Sequence, residues 1–153
     1  QIKLDAASSR ILRELQRDSR QTVQELSAKV GLSVSPCWRR VKELEASGVV
    51  RRYTALVERE KVGLSACILA QVSLLRQTEG AAEQFESAMH ACAEVIECYS
   101  VTGDADYVIK VVLPDVKAYD AFLHRVMFKI KDIGTLRSMV VLREVKYETA
   151  LPV

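Results

Sequence analysis

The sequence predicts an α+β protein in which a winged helix-turn-helix unit precedes a βαββαβ, ferredoxin-like unit. In the first third of the chain, apolar residues recur at helical spacing in three segments separated by short turns. From residue 64 onward, the apolar pattern alternates between period 2 and period 3.6 in the order strand, helix, strand, strand, helix, strand. We therefore expect a helical domain at residues 1–49, a linker strand at 50–63 and a sheet domain at 64–153.

Capping signals bound the first two helices. Asp5 is a suitable N-cap for the first helix, because its carboxylate can accept from a free N–H of the first turn. Thr22 and Glu25 have the spacing of a capping box, in which each side chain bonds the other residue's backbone N–H. Gly31 suits the left-handed position that ends the second helix.

The third helix is predicted to have one buried and one exposed face. It begins after Ser33, and Pro36 is tolerated in its first turn because no intrahelical N–H is lost there. Cys37, Val41 and Leu44 recur at spacings of 4 and 3, which is typical of a buried face. A rotated set shares a second, exposed face: Ser35, Trp38, Arg39 and Lys42.

A strand is expected after this helix, and a sheet domain follows it. Gly48 ends the helix, and residues 49–57 have the apolar and β-branched content of a strand leading out. The later elements are predicted as strands at 67–75, 95–103, 106–113 and 135–147 and helices at 81–92 and 116–130. Helices on one side of such a sheet leave its other face uncovered. Because apolar residues occupy both faces of several strands, we expect a second copy of the chain to cover that face.

Composition and charge restrict the class of protein. Residues 1–60 carry 12 Lys or Arg and 8 Asp or Glu, so the basic excess lies in the helical domain. No apolar run is long enough to span a bilayer and no signal-peptide pattern opens the chain, which predicts a cytoplasmic protein. The four cysteines form no C-x-x-C pair, and a metal site at His90, Cys92 and Cys98 is disfavoured because these residues fit helix and strand patterns. No cofactor is expected.

A helix-turn-helix with a basic second helix fits the major groove of double-stranded DNA. Arginine and lysine on the exposed face can reach guanine or phosphate, and serines near the helix N-terminus can donate to phosphate. Arg40 falls between the two faces, and an alternative role for it is to support the fold through a carboxylate such as Glu43 or Glu14. For Trp38, packing on a neighbouring helix is as reasonable as contact with DNA. The candidate DNA-binding residues are Ser33, Ser35, Pro36, Trp38, Arg39, Arg40, Lys42, Arg51 and Arg52.

Three segments resemble one family over the whole chain. Residues 36–50, PCWRRVKELEASGVV, are similar to the recognition-helix signature of the leucine-responsive/asparagine-responsive (Lrp/AsnC) transcriptional regulators. Residues 101–107, VTGDADY, resemble their effector-loop motif, and residues 144–152, EVKYETALP, resemble their usual ending. The resemblance implies a regulator that dimerises through the linker strand and the sheet, often assembles into octamers, and binds an amino-acid effector between C-terminal domains.

The resemblance also implies effector positions in the hairpin, in the strand before it and in the last strand. Turn N–H groups can hold a carboxylate, and an aspartate can hold an ammonium group. Without the resemblance, Gly103-Asp104 would be better explained as an ordinary hairpin turn that binds no ligand. The positions are Tyr99, Val101, Gly103, Asp104, Asp106, Tyr107, Thr135, Leu136 and Ser138.

Other classes of function fit the sequence less well. The chain has no nucleophile motif, phosphate loop or dinucleotide fingerprint, so an enzyme is not expected. An RNA-binding domain shares the βαββαβ order, but residues 106–113 lack the stacking aromatics and the glycine of its RNA-contacting strand. An amino-acid-sensing oligomeric module without direct gene regulation remains an alternative, although it would not explain the first 60 residues.

Overall fold

The structure is a computed structural model that describes residues 4–76 and 78–153. Residues 1–3, which belong to the predicted helical domain, lie outside the described residues. The chain divides into two compact units. One contains the chain up to Leu56 together with Val145–Val153, and the other contains Val57–Glu144.

The three predicted helices of the first unit are confirmed: α1 (Ala6–Arg17), α2 (Val23–Val30) and α3 (Val34–Ala46). The capping box at the start of α2 is complete. Glu25 N donates to Thr22 Oγ1 over 3.2 Å, and Thr22 N donates to Glu25 Oε2 over 2.7 Å. Gly31 ends α2 in the left-handed conformation, with φ of 68°. These local contacts fix where α2 begins and ends.

The apolar faces of the three helices meet in one core. Cys37 and Leu44 of α3 are buried, as their spacing predicts. Ser33 occupies the N-cap position of α3, which confirms the predicted start of this helix, although its side chain makes no capping hydrogen bond. The buried residues of this core are Ile11, Leu12, Leu26, Val30, Cys37 and Leu44.

The segment after α3 forms no strand within the described chain, so the predicted strand at 49–57 is not present in a single copy. Residues 51–58 lie outside any helix or strand, and a short 3-10 helix (Arg59–Val62) follows them. The physical reason is that a strand needs a neighbouring strand for its backbone hydrogen bonds. The side chains of Tyr53, Leu56 and Val57 in this segment are about half to two-thirds exposed.

The second unit confirms the βαββαβ order. Its elements are β1 (Ala66–Leu74), α4 (Glu79–Ala91), β2 (Val95–Ser100), β3 (Tyr107–Leu113), α5 (Val116–Arg125) and β4 (Ile133–Val140). The strands form one antiparallel sheet in the order β2-β3-β1-β4. The predicted helix over 116–130 is shorter than expected, because a 3-10 turn (Met127–Lys129) follows α5.

Both α4 and α5 pack on one face of this sheet. Phe85 of α4 and Phe122 of α5 are fully or almost fully buried against alternate residues of β1 and β3, among them Ile68 and Ile109. Residues of the opposite register, such as Leu69 opposite Met139, lie on the face that no helix of this unit covers. Met139 is 46% exposed. The sheet therefore has one closed and one open face.

The last strand ends earlier than predicted. β4 stops at Val140, although Val141 N still donates to Cys67 O over 2.9 Å. The ladder therefore ends within one residue of Ala66, the first residue of β1. The prediction of a strand to residue 147 is therefore wrong beyond this point.

The C-terminal segment belongs to the first unit. Gln16 Nε2 of α1 donates to Leu151 O over 3.1 Å, and Leu151 N donates to Gln16 Oε1 over 2.6 Å. The compact units thus differ from the predicted limits of 1–49, 50–63 and 64–153, which assigned these last residues to the sheet domain. A backbone segment held by one glutamine side chain leaves no periodic signal in the sequence.

Two features bear on the broad class of protein. Within residues 4–76 and 78–153, no helix is both long and apolar enough to span a bilayer. In the same part of the chain, no group of three or more His, Cys, Asp or Glu side chains is arranged to hold a metal ion. The cysteines of the described chain are all free thiols.

Candidate nucleic-acid interface and ligand pocket

The exposed face of α3 has the composition that the sequence predicts. Ser35, Arg39 and Lys42 are exposed, and Trp38 is 54% exposed, so its indole is not packed into the helical core. Ser33, Pro36, Arg51 and Arg52 are also exposed. The first unit therefore presents serine, tryptophan and basic side chains from one helix face to a partner.

The basic residues of this face are partly neutralised by glutamates of the same helix. Arg39 Nε lies 3.7 Å from Glu43 Oε1, and both side chains are about two-thirds exposed or more, so this pair is weak. Lys42 Nζ lies 2.7 Å from Glu45 Oε2. The hydrogen bond from Lys42 lowers the pKa of Glu45, with a further contribution from Tyr53.

Arg40 turns away from this face and joins α3 to the start of α1. Its Nη1 atom donates to Asp5 Oδ2 over 2.7 Å and to Ser8 Oγ over 3.2 Å. The expected supporting role is thus present, but its partner is Asp5 and not Glu43 or Glu14. The hydrogen bonds from Ser8, followed by that from Arg40, lower the pKa of Asp5 from 3.8 to about 2.

Asp5→Asn is expected to lower the melting temperature at neutral pH, because Asn still caps α1 but no longer carries a charge for Arg40. Since the folded pKa of Asp5 is depressed, its stabilisation is complete above pH 4 and is lost as the pH falls to about 2. Thermal melts followed by circular dichroism should therefore show that the melting temperatures of the wild type and the variant converge as the pH falls across this range. A melting difference that stays constant between pH 7 and pH 2 would contradict this role.

A pocket of about 440 Å³ lies in the second unit at the N-terminus of α4. Thr78 caps this helix and its hydroxyl accepts from Ala81 N over 3.4 Å. The side chains that line the pocket are of three kinds: apolar, hydroxyl-bearing and acidic. Its lining residues are Leu74, Thr78, Glu79, Ala82, Ser100, Val101, Asp106 and Tyr107.

Three of the predicted effector residues line this pocket, and two of them already have structural partners. Leu74 N donates to Asp106 Oδ2 over 2.7 Å, which joins the β2–β3 hairpin to β1. The Tyr107 ring packs 4.6 Å from the Phe85 ring, and its hydroxyl donates to Glu86 over 2.8 Å. Burial, followed by this hydrogen bond, raises the pKa of Tyr107 to about 12. Val101 contributes apolar surface.

The other predicted effector residues do not line this pocket. Tyr99 is 55% exposed and donates to Glu97, and Gly103 and Asp104 lie in the exposed turn of the hairpin. Leu136 packs against the core of the second unit. The Ser138 hydroxyl lies 2.6 Å from that of Tyr119. Thr135 pairs with Ser73 on β1.

Five lining residues were missed by the sequence reasoning: Leu74, Thr78, Glu79, Ala82 and Ser100. Their contribution depends on the position of the first turn of α4 beside the hairpin, which is a tertiary feature. Thr78 is the N-cap of α4 and Glu79 is an acidic residue of its first turn, which are signals of a helix start and do not by themselves indicate a ligand.

These features define the chain as a DNA-binding helix-turn-helix protein that carries an α+β ligand-binding domain. The family model for winged helix-turn-helix DNA-binding matches residues 4–51, and the model for the Lrp/AsnC ligand binding domain matches residues 67–151. The chain belongs to the Lrp/AsnC family of transcriptional regulators, and it is not an enzyme.

Relatives of known structure or name are similar over almost the full chain. The leucine-responsive regulatory protein of Klebsiella pneumoniae is 38% identical over 148 residues, which are 97% of this chain and 90% of that protein. A transcriptional regulator from Neisseria meningitidis, solved as a complex with L-methionine, is 37% identical with a TM-score of 0.93, covering 98% of this chain and 97% of that one. An AsnC family regulator from Agrobacterium tumefaciens is 38% identical with a TM-score of 0.93 and covers 97% of both chains.

Proposed function

We propose that α3 reads the major groove of double-stranded DNA with Ser35, Trp38, Arg39 and Lys42, and that a free amino acid bound in the second unit changes the DNA affinity. The observation that carries the first part is the exposed face of α3, because these side chains take no part in the helical core. Arginine and lysine in a major groove can donate to guanine O6 and N7 or to phosphate. Arg51 and Arg52 add exposed positive charge beyond the helix.

The working form is proposed to be a homodimer or a higher homo-oligomer such as an octamer. Two features support this. Residues 51–58 carry exposed apolar side chains but lie outside any strand of the described chain, and the sheet of the second unit has an open face. A second copy of the chain offers backbone hydrogen-bond partners to residues 51–58 and apolar contacts to the open face of the sheet. The DNA partner supports a cytoplasmic location.

The proposed effector site is the pocket at the start of α4. Free N–H groups of a first helical turn and the positive end of the helix dipole favour a carboxylate. The exposed carboxylate of Glu79 is a suitable partner for the ammonium group, and Leu74 and Val101 offer apolar surface to the side chain. Methionine is a candidate, because the relative from Neisseria meningitidis was solved as a complex with L-methionine. A contact of the effector with Gly103 and Asp104 of the hairpin stays a prediction, and the variants described below test it.

The function is tested by fluorescence anisotropy on DNA from upstream of the protein's own gene, with each of the twenty amino acids added in turn. We expect salt-dependent binding, because each phosphate contact adds about 0.9 to the slope of log K against log salt. We also expect one amino acid or a related group to shift the affinity several-fold. DNA binding that no amino acid changes would contradict the effector part alone.

Ala82→Leu is expected to remove the amino-acid response while DNA binding without effector is unchanged. Ala82 lines the pocket from α4, so the larger side chain fills the space nearest the helix N-terminus. The measurement is the same anisotropy titration with and without the active amino acid. Ala91→Leu is the matched control, since Ala91 is exposed at the other end of α4 and does not line this pocket.

Asp104→Ala separates the pocket from the hairpin turn as the effector site. If the response is retained by Ala82→Leu and lost in Asp104→Ala, the ligand binds at the hairpin turn and not in the pocket. If both variants retain it, the effector site lies elsewhere in the assembly.

A further inference from the structure

A carboxylate near the end of α3 connects the DNA-facing helix with the segment that follows it. Glu45 Oε2 accepts from Lys42 Nζ over 2.7 Å, and Glu45 Oε1 accepts from Tyr53 Oη over 2.9 Å. Both carboxylate oxygens of Glu45 therefore have partners, one on the helix and one in residues 51–58. The Glu45 side chain is 28% exposed and that of Lys42 is 53% exposed, so this pair is better shielded than the pair of Arg39 and Glu43.

The position of Glu45 is unfavourable on general grounds. It lies in the last turn of α3, where the negative end of the helix dipole repels a carboxylate. It also shares the helix with the residues proposed to contact DNA, whose phosphates repel negative charge. The two hydrogen bonds from Lys42 and Tyr53 compensate for this position.

We propose that Glu45 competes with DNA phosphate for the Lys42 ammonium group, and that Tyr53 holds Glu45 in this inhibitory position. The inference rests on DNA binding by α3 as described above. When Lys42 contacts phosphate, it must leave Glu45. The free-energy cost of breaking that pair lowers the affinity of the protein for all DNA sequences, because the competing group is the backbone phosphate.

The second partner of Glu45 makes this competition sensitive to the segment after α3. Tyr53 lies within residues 51–58, which have no strand partner within the described chain. A change in the conformation of this segment, for example on pairing with a second copy, moves the Tyr53 hydroxyl and releases Glu45. The DNA affinity of α3 then depends on the state of residues 51–58.

Glu45→Gln is expected to raise the affinity for DNA by about 1.5-fold to 5-fold at low salt, since exposed ion pairs contribute up to about a factor of five. The measurement is fluorescence anisotropy of the full chain with a random duplex and with the upstream DNA. Both duplexes should show the same increase. An unchanged affinity would overturn the inference.

Glu43→Gln is the matched control on the same helix. It removes the same charge two residues away, but its partner Arg39 lies at 3.7 Å and the pair is more exposed. We expect less than half of the increase, on a logarithmic scale, that Glu45→Gln gives. Equal increases for the two variants would mean a general effect of net charge and would overturn the inference.

Double variants test whether Glu45 acts through its two partners. In a Lys42→Gln background, Glu45→Gln should change the affinity no more than Glu43→Gln does. Tyr53→Phe alone should raise the affinity in the same direction as Glu45→Gln, and should add nothing when Glu45 is already Gln. Additive effects in either cycle would overturn the proposed competition.

Glu45→Asp separates position from charge. This variant keeps the charge but is one methylene shorter, so it cannot bridge Lys42 and Tyr53 with the same distances. Affinity that rises as for Glu45→Gln supports the bridge, whereas affinity equal to the wild type overturns it. Failure of the wild type to bind DNA would instead refute the proposed function, and this result is distinguishable from wild-type binding with no effect of Glu45.

Discussion

Arg39→Ala is expected to weaken binding to the specific DNA site by about 5-fold to 150-fold, corresponding to about 1 to 3 kcal/mol for an arginine that donates to guanine. The Arg39 side chain is 71% exposed and its nearest carboxylate, on Glu43, lies 3.7 Å away, so the guanidinium group is available to DNA. The loss should be larger on the specific site than on random DNA, because a base contact carries sequence information and a phosphate contact does not.

The measurement is a pair of anisotropy titrations on specific and random duplexes at two salt concentrations. Arg13→Ala is the matched control, because it removes the same charge from an exposed position of α1. Equal losses for Arg13→Ala and Arg39→Ala would show that Arg39 contributes only net charge. A uniform loss on both duplexes, with the salt slope reduced by about 1, would assign Arg39 to phosphate.

Phe85→Ala is expected to destabilise the second unit by about 3 to 5 kcal/mol. The Phe85 side chain is fully buried between α4 and the sheet, and its ring lies 4.6 Å from that of Tyr107. Truncation removes the transfer free energy of the ring and leaves a cavity that the surrounding strands cannot fill. Chemical denaturation by urea at fixed protein concentration measures this loss.

Phe128→Ala is the matched control for the same chemical change on the surface. The Phe128 side chain is 62% exposed and contacts the His124 ring edge-on at 5.1 Å. We expect Phe128→Ala to lower the free energy of unfolding by less than about 1 kcal/mol, as most surface substitutions do. Comparable losses for the two variants would mean that Phe85 does not lie in a closely packed core.

The helical domain was predictable almost to its ends because its signals are local. The spacing of Thr22 and Glu25, and the left-handed preference of Gly31, depend on residues a few positions apart. The two faces of α3 follow from a period of 3.6, which the apolar and basic residues both obey. The partner of Arg40 was not predictable, because Asp5 is distant in sequence and several carboxylates were equally reasonable.

The candidate ligand site was predictable only in part. Val101, Asp106 and Tyr107 could be taken from a short motif, because they surround one hairpin. Thr78 and Glu79 reach the same pocket from the start of α4, and no spacing in the sequence indicates that α4 begins beside that hairpin. Conversely, Leu136 packs against the core of the second unit, and the Ser138 hydroxyl is hydrogen-bonded to that of Tyr119. Packing therefore decided whether these two residues are available to a ligand.

The sequence by itself determined the order of helices and strands, the three-helix core and the basic face of α3, because each depends on periodicity and on caps within a few residues. Only the tertiary structure decided where the extended segments end. Residues 49–57 and 141–147 have strand-like composition, yet a strand exists only where another strand supplies its hydrogen bonds. It also decided that Glu45 bridges Lys42 and Tyr53, because that contact requires a turn to return the chain to the helix.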